Sequence, residues 1–302
     1  MSAGGSRARV AAALVTVQIF FAFHYAAAKY ILGFIPPLPW ATIRAIAAAM
    51  LIVAIVLVAR HRIKRPWKDI GFMAFCAIFG VVINQICFVE GLSRTDTTHS
   101  SIINTTIPVA TLLIAILAGR ERATGRKLLG IGLALTGMFY LIAHSGALLP
   151  QRFFMGDLLN VGNALSYSFF LVISKPALVK HGSLSNTAIL LVSGALGIAL
   201  LGGAPLARFD VSAIPASVWW LGAAVVVFAT VLAYLLNFWA LKRVESSTVA
   251  MFIYMQPIIA SIVGVTFLGE SLGPETLVSG ALIFTGLGVA MSSPRRRTPS
   301  TA

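Results

Sequence analysis

Long apolar runs separated by short polar breaks constrain this chain more than any single residue does. Ten runs are legible, at about 10–32, 39–59, 70–91, 96–118, 127–144, 155–177, 184–203, 214–240, 247–268 and 273–292. Each approaches the roughly 20 residues that an α-helix needs to cross a bilayer. Of the 302 residues, 58% are hydrophobic and only 11% are charged, and the mean hydropathy is +0.92. A soluble domain carries about 25% charged residues. The runs are continuously apolar rather than alternating, which excludes a membrane β-barrel. The predicted fold class is an all-α membrane protein of ten transmembrane helices. Too little sequence lies between the runs for a soluble catalytic or nucleotide-binding domain.

The net charge of +14 invites a nucleic-acid reading, but its distribution points elsewhere. With the N-terminus placed in the cytoplasm, 17 of the basic residues fall in inside segments, among them Arg60, Arg62, Lys64, Arg65, Arg120, Arg122, Arg126 and Lys127. Only 3, Arg94, Arg152 and Arg208, fall outside. The positive-inside rule then puts both termini in the cytoplasm. The basic excess is topological, with attraction to anionic lipid as a side effect and no nucleic-acid partner. A bacterial-type inner (plasma) membrane is the expected location.

An internal echo divides the chain. Pro108–Glu121 reads PVATLLIAILAGRE, and 149 residues later Pro257–Glu270 reads PIIASIVGVTFLGE. The same offset aligns Leu92 with Leu241, Arg94 with Arg243, Thr136 with Thr285 and Gly137 with Gly286. The two predicted units are residues 1–148 and 149–302, each with five spans, the second ending in a short basic tail. An odd number of spans per unit forces the two to insert in opposite orientations. Inverted repeats of this kind are a signature of secondary transporters, whose substrate site lies between them.

Intramembrane polar groups are costly unless they meet partners or water, so they face the bundle interior. Asn160, Asn163 and Tyr167 share one face of the sixth span, and His24 and Tyr25 lie on a comparable stripe of the first. Asn84 in the third span, Asn104 in the fourth, Tyr234, Asn237 and Trp239 in the eighth, and Tyr254 and Met255 in the ninth complete the candidate substrate-binding set. Amide donors and acceptors suit an ammonium and a carboxylate, and aromatic faces suit a ring or a cation. A single such Asn is more often an interhelical hydrogen-bonding group than a ligand contact, and the functional reading rests on polar stripes recurring on six helices. Pro108 and Pro257 each break a helical ladder, either as packing kinks or as hinges beside a site. His24 is either a titrating group or a structural histidine. Lys29 and Arg44 either snorkel toward the outer interface or meet a gate or a substrate carboxylate. Glu90 pairs by spacing with Arg94, and Glu121 and Glu270 read as structural anchors. Glycines in the fifth and tenth spans (Gly130, Gly132, Gly137; Gly280, Gly286, Gly288) allow close helix packing, within the chain or in a homo-oligomer.

Catalytic and cofactor motifs are absent from the sequence. Gly119–Lys127, GRERATGRK, lacks P-loop spacing, and Gly130-Ile131-Gly132 lacks the third glycine of a dinucleotide fingerprint. No His/Cys cluster has zinc spacing, and Cys76 and Cys87, about 16 Å apart along one helix, cannot form a disulfide with each other. No enzyme activity, cofactor or metal is expected.

The ten spans, the two inverted halves and the P-x(12)-E element closing the fourth helix of each half resemble the EamA-type drug/metabolite transporters. Lys29 and Arg44 also fit that pattern, whereas Phe23-His24-Tyr25 stands where members often carry Trp-Gly. The resemblance covers essentially the whole chain. It implies a central cavity bounded by helices 1, 3, 4, 6, 8 and 9, with helices 5 and 10 at the periphery. It also implies a small-molecule substrate, and the overall likeness is greatest to the family's aromatic amino acid exporters. Export of aromatic and other neutral amino acids by alternating access is the expected function. Another metabolite, or a cationic drug, is the alternative. An integral membrane enzyme or a receptor is the more distant one.

Overall fold

The computed structural model describes residues 3–95, 97–144, 154–256, 258–259 and 274–291. These residues are helical, with no strand among them. The first helices are α1 (Ala3–Leu32), α2 (Pro37–Val58) and α3 (Trp67–Ala77), which runs through a π-helical turn (Ile78–Ile83) into α4 (Asn84–Arg94). They are followed by α5 (Thr97–Asn104), α6 (Ile107–Leu117), α7 (Gly125–His144), α8 (Phe154–His181) and α9 (Ser183–Ala207). Next, α10 (Ala216–Ala224) passes through a second π-helical turn (Val225–Leu232) into α11 (Ala233–Leu241). Last come α12 (Ser246–Met251), a 3₁₀ turn (Phe252–Tyr254) and α13 (Pro274–Met291).

Among the described residues, five helical segments are long and apolar enough to cross a membrane: Arg7–Leu32, Pro37–Val58, Trp67–Arg94, Ser183–Ala207 and Ala216–Leu241. The 28-residue α8 is as long but carries Asn160, Asn163, Ser166, Tyr167 and Ser168, all buried. Outward faces are apolar: Leu200 is 86% and Trp220 78% exposed. Water would penalise that surface, whereas lipid does not.

The expected fourth span is two helices. Pro108 has no N–H to offer the carbonyl of Asn104, four residues earlier, and α5 ends at Asn104. The 3₁₀ turn at Phe252–Tyr254 brackets Ile253, the residue 149 positions beyond Asn104. Pro257 itself and most of the second copy of the echo lie outside the described residues. The two π-helical turns also fall at corresponding positions under that offset. Carbonyls of the first one are taken up across the bundle. The Phe79 carbonyl accepts from Ser166 Oγ at 2.7 Å, and the Gly80 carbonyl accepts from the Tyr234 hydroxyl.

Helices from before residue 144 pair with helices from after residue 154. Helix α2 lies on α9, α4 on α8, α1 on α11 and the second π-turn, α6 on α12 and α8, and α7 on α13. The α7–α13 pair touches the rest of the bundle sparingly, through α12 and the 3₁₀ turn. Gly130, Gly137 and Gly286 pack within the chain, whereas Gly132 and Gly288 face open space: a Cβ on Gly130 would stand 2.6 Å from the Gly286 carbonyl oxygen, and one on Gly286 would stand 2.5 Å from that of Gly130. Gly182, at φ +81°, makes the tight corner between α8 and α9.

Polar ties fix the helix ends. Lys29 donates to the carbonyls of Leu92 (2.9 Å) and Thr95 (2.6 Å), satisfying the carboxyl-terminal end of α4. It therefore caps a neighbouring helix rather than snorkelling to an interface. Lys175 does the same for Val244 (2.7 Å) beyond α11, and Val244 stands 149 residues after Thr95. Glu121 is buried, accepting from Lys127 Nζ (2.7 Å) and from the Ser247 backbone N–H (3.2 Å) and hydroxyl, which anchors the end of α6 to the start of α12. Lys127 also pairs with Glu245 (2.6 Å). Asp69 pairs with Lys180 (2.7 Å) and His181 (2.6 Å), while Arg65 Nη1 donates to Asn186 (2.8 Å), tying the α2–α3 loop to the α8–α9 corner. Burial pushes the Arg65 guanidinium below the usual arginine range. Glu90 pairs with Arg94 as their spacing predicts.

Candidate functional site

The helices close around a central cavity of about 80 Å³. Occupied small-molecule sites span about 300–1,000 Å³, so the lining side chains must part to admit a solute. Its walls come from α1 (Phe21, His24, Tyr25), α2 (Arg44), α4 (Asn84, Gln85, Phe88), the α5–α6 break (Asn104, Ile107), α8 (Asn163, Tyr167), the second π-turn and α11 (Ala229, Tyr234), and the segment around the 3₁₀ turn (Ile253, Gln256).

Helix irregularities position these side chains. Asn104 and Ile107 flank the break that Pro108 causes, and Ile253 and Gln256 are their counterparts at the 149-residue offset. Gln85 and Tyr234 are related in the same way, each just beyond or at the end of a π-turn. A π-turn widens the helix locally and rotates the residues that follow, and such turns cluster at functional sites. Here each aims a polar side chain at the centre of the bundle.

The cavity surface combines aromatic and polar side chains. Phe88 stacks on the His24 ring at 5.0 Å between centroids and meets the Tyr25 ring edge-on at 5.4 Å. Tyr167 and Tyr234 lead outward to Phe170 and Phe238. Among the polar groups, Asn163 Nδ2 donates to the Asn84 carbonyl at 2.8 Å, and Asn104 Nδ2 donates to the Tyr25 hydroxyl. Gln256 Nε2 donates to Gln18 at 2.8 Å. Asn104 Oδ1 and Gln256 Oε1 are buried with no hydrogen-bond partner, and Gln85, whose amide lies near the Tyr234 hydroxyl, makes no well-formed hydrogen bond. Buried polar atoms are ordinarily paired. Orphaned atoms gathered on one cavity mark where a polar ligand is accommodated.

Seven of the predicted binding residues, His24, Tyr25, Asn84, Asn104, Asn163, Tyr167 and Tyr234, line this one cavity. Four do not. Asn237 stands behind the wall and donates to the Tyr167 hydroxyl at 3.0 Å. Trp239 is covered by the Arg243 guanidinium, 3.9 Å above its ring. Tyr254 and Met255 are buried in the packing core beside the lining residues Ile253 and Gln256. Asn160, on the predicted polar stripe of α8, is consumed structurally: it accepts from Ser100 at 2.7 Å and donates to the Gly156 carbonyl at 2.9 Å.

Arg44 is the lining residue that the sequence placed least well. It is 4% exposed, bonded through Nη1 to His24 Nε2 (2.9 Å) and through Nε to Thr230 Oγ1 (2.9 Å). Gln85, Gln256 and Phe88 were also not singled out as ligand residues. The repeat offset carries the signal for Gln85 and Gln256, and Phe88 lies one turn beyond Asn84 and Gln85. Among the described residues no group of three or more His, Cys, Asp or Glu side chains could hold a metal ion.

A multi-pass helical bundle with an aromatic and amide-lined cavity at its centre is the architecture of a small-molecule membrane transporter. The chain belongs to the EamA-like transporter family, whose model matches residues 9–143 and again 154–292. It is 25% identical over 286 residues to an uncharacterized transporter of Archaeoglobus fulgidus, covering 92% of this chain and 97% of that one. It is 24% identical to the uncharacterized transporter YyaM of Bacillus subtilis, covering 95% and 94%. To the uncharacterized inner membrane transporter YedA of Escherichia coli it is 23% identical, covering 82% and 80%. A solved crystal structure superposes with a TM-score of 0.72 at 20% identity over 93% of this chain, a likeness of fold.

Proposed function

We propose that this protein is a secondary transporter of the inner membrane that exports aromatic and other neutral amino acids. The carrying observation is the cavity itself, which aromatic rings and orphaned amide atoms line together. Asn104 Oδ1 and Gln256 Oε1 are acceptors and suit the N–H groups of an ammonium. Phe21, Phe88, Tyr25, Tyr167 and Tyr234 suit an aromatic or aliphatic side chain.

Ten spans, two five-helix units of opposite orientation and cytoplasmic termini are the topology we assign. Two successive family matches, the paired helix breaks and the paired π-turns support that assignment. Transport proceeds by alternating access. The chain bends at the Pro108 break and its counterpart near Pro257, closing the cavity to one side as it opens to the other. The name of the Escherichia coli relative supports the inner-membrane assignment.

The test is counterflow of labelled phenylalanine into proteoliposomes preloaded with unlabelled phenylalanine. Protein-dependent uptake, competed by tryptophan and methionine, is the expected result. Absence of uptake by folded protein overturns the substrate assignment. Cysteine labelling that finds both mouths of the cavity open at once overturns alternating access in favour of a channel.

A further inference from the structure

The cavity contains a buried cation whose protein partners are both neutral. A guanidinium does not lose its proton in a protein, so Arg44 carries a full positive charge. Its Nε donates to a threonine hydroxyl, and its Nη1 meets His24 Nε2, which must then present a lone pair on an uncharged ring. Nη2 has no protein hydrogen-bond partner among the described residues. Six described carboxylates are engaged elsewhere: Asp69 with Lys180 and His181, Glu90 with Arg94, Glu121 and Glu245 with Lys127, Asp157 with Thr95, and Asp210 with the Ser212 backbone. Among the described residues, no acidic side chain lines the cavity.

A buried charge without a counter-ion is costly, and at membrane depth such groups mark substrate paths. Arg44 is also held in place: Thr230, on the second π-turn, accepts from its Nε and in turn donates to the Val225 carbonyl at 3.2 Å. A fixed planar donor with a free edge toward a water-poor cavity is built to receive a carboxylate. The amide acceptors of Asn104 and Gln256 belong to other helices of the same cavity. The cavity thus offers donors from α2 and acceptors from the two helix breaks.

We infer that Arg44 binds the carboxylate of the transported solute and thereby sets its charge class. Zwitterions and organic acids are accepted, and amines and cationic drugs lacking an anionic group are refused. The inference rests on the cavity being the substrate site, as proposed above.

The experiment titrates the purified full-length protein in detergent, following its melting temperature and tryptophan fluorescence. The probes are phenylalanine, 3-phenylpropionate, phenylalaninamide, 2-phenylethylamine, leucine, pyruvate and citrate. Phenylalanine and 3-phenylpropionate are expected to bind about 30-fold or more tightly than the amide and the amine. Arg44→Gln is expected to bring that ratio close to one, and Arg44→Lys to retain part of it. Equal binding of acid and amide by the wild type overturns the inference and leaves the amino acid reading standing. A ratio that survives in Arg44→Gln overturns it as well, as does failure of every carboxylate in the set to bind folded protein. Binding confined to pyruvate or citrate, with the same dependence on Arg44, supports the inference and overturns the amino acid reading. If Arg44→Gln does not fold, the wild-type ratio and Arg44→Lys decide.

Discussion

Asn160 and Asn163 lie one turn apart on α8, yet one is consumed by packing and the other faces the cavity. Periodicity put both on the inner face, and it cannot say more. Which neighbour occupies the space opposite is decided by helices far away in sequence. Arg44 shows the same limit from the other side. Its place near the start of α2 allowed a snorkelling side chain, and only the approach of Thr230, 186 residues later, shows that it turns inward. Tyr167 offers a direct test of the wall behind the cavity. Its hydroxyl takes the hydrogen bond of Asn237 Nδ2, whose Oδ1 already lacks a partner. Tyr167→Phe leaves that amide wholly unsatisfied and is expected to cost about 1–3 kcal/mol. The double variant Tyr167→Phe with Asn237→Leu removes both polar groups and is expected to recover most of the loss, read as melting temperature in one detergent. Glu121→Gln tests the tie between α6 and α12. Lys127, 3% exposed, then keeps only the half-exposed Glu245 as its counter-charge. A loss of about 1–3 kcal/mol is expected by the same measurement.

At the scale of the element, proline placed the interruption of the fourth span correctly, because a missing N–H acts on a fixed partner four residues away. The π-turns left no comparable mark: Ile78–Ile83 and Val225–Leu232 are ordinary apolar sequence, and the side chains that take up carbonyls of the first, Ser166 and Tyr234, come from across the bundle. Pro108→Ala restores a donor to the Asn104 carbonyl and favours one continuous helix. The variant is expected to melt no lower than the wild type and to transport more slowly in counterflow. An undiminished rate means that the break serves packing alone. The α7–α13 glycines give the opposite case, where a side chain is added to a closed interface. Gly286→Val places carbon against the Gly130 carbonyl and is expected to destabilise by about 1–3 kcal/mol. Because neither α7 nor α13 lines the cavity, the counterflow rate per folded molecule is expected to stay within about twofold of the wild type.

For the whole molecule, composition alone announced a helical membrane protein, and the 149-residue echo announced which positions would correspond. Neither stated which helix lies beside which. The most extensive pairings cross the middle of the chain: α2 with α9, α4 with α8, α1 with α11, α7 with α13. Two polypeptides covering 1–148 and 149–302, made together in one cell, are expected to copurify and to restore counterflow, whereas either alone is expected to be degraded. That crossed pairing also bears on synthesis. Helix α7 is made well over a hundred residues before its neighbour α13 leaves the ribosome. Until then the inserted first half holds its glycine face and its buried amides against lipid or a chaperone, so a stalled or truncated chain displays what the membrane quality-control machinery removes. For this protein, the folding of the first half waits on the synthesis of the second.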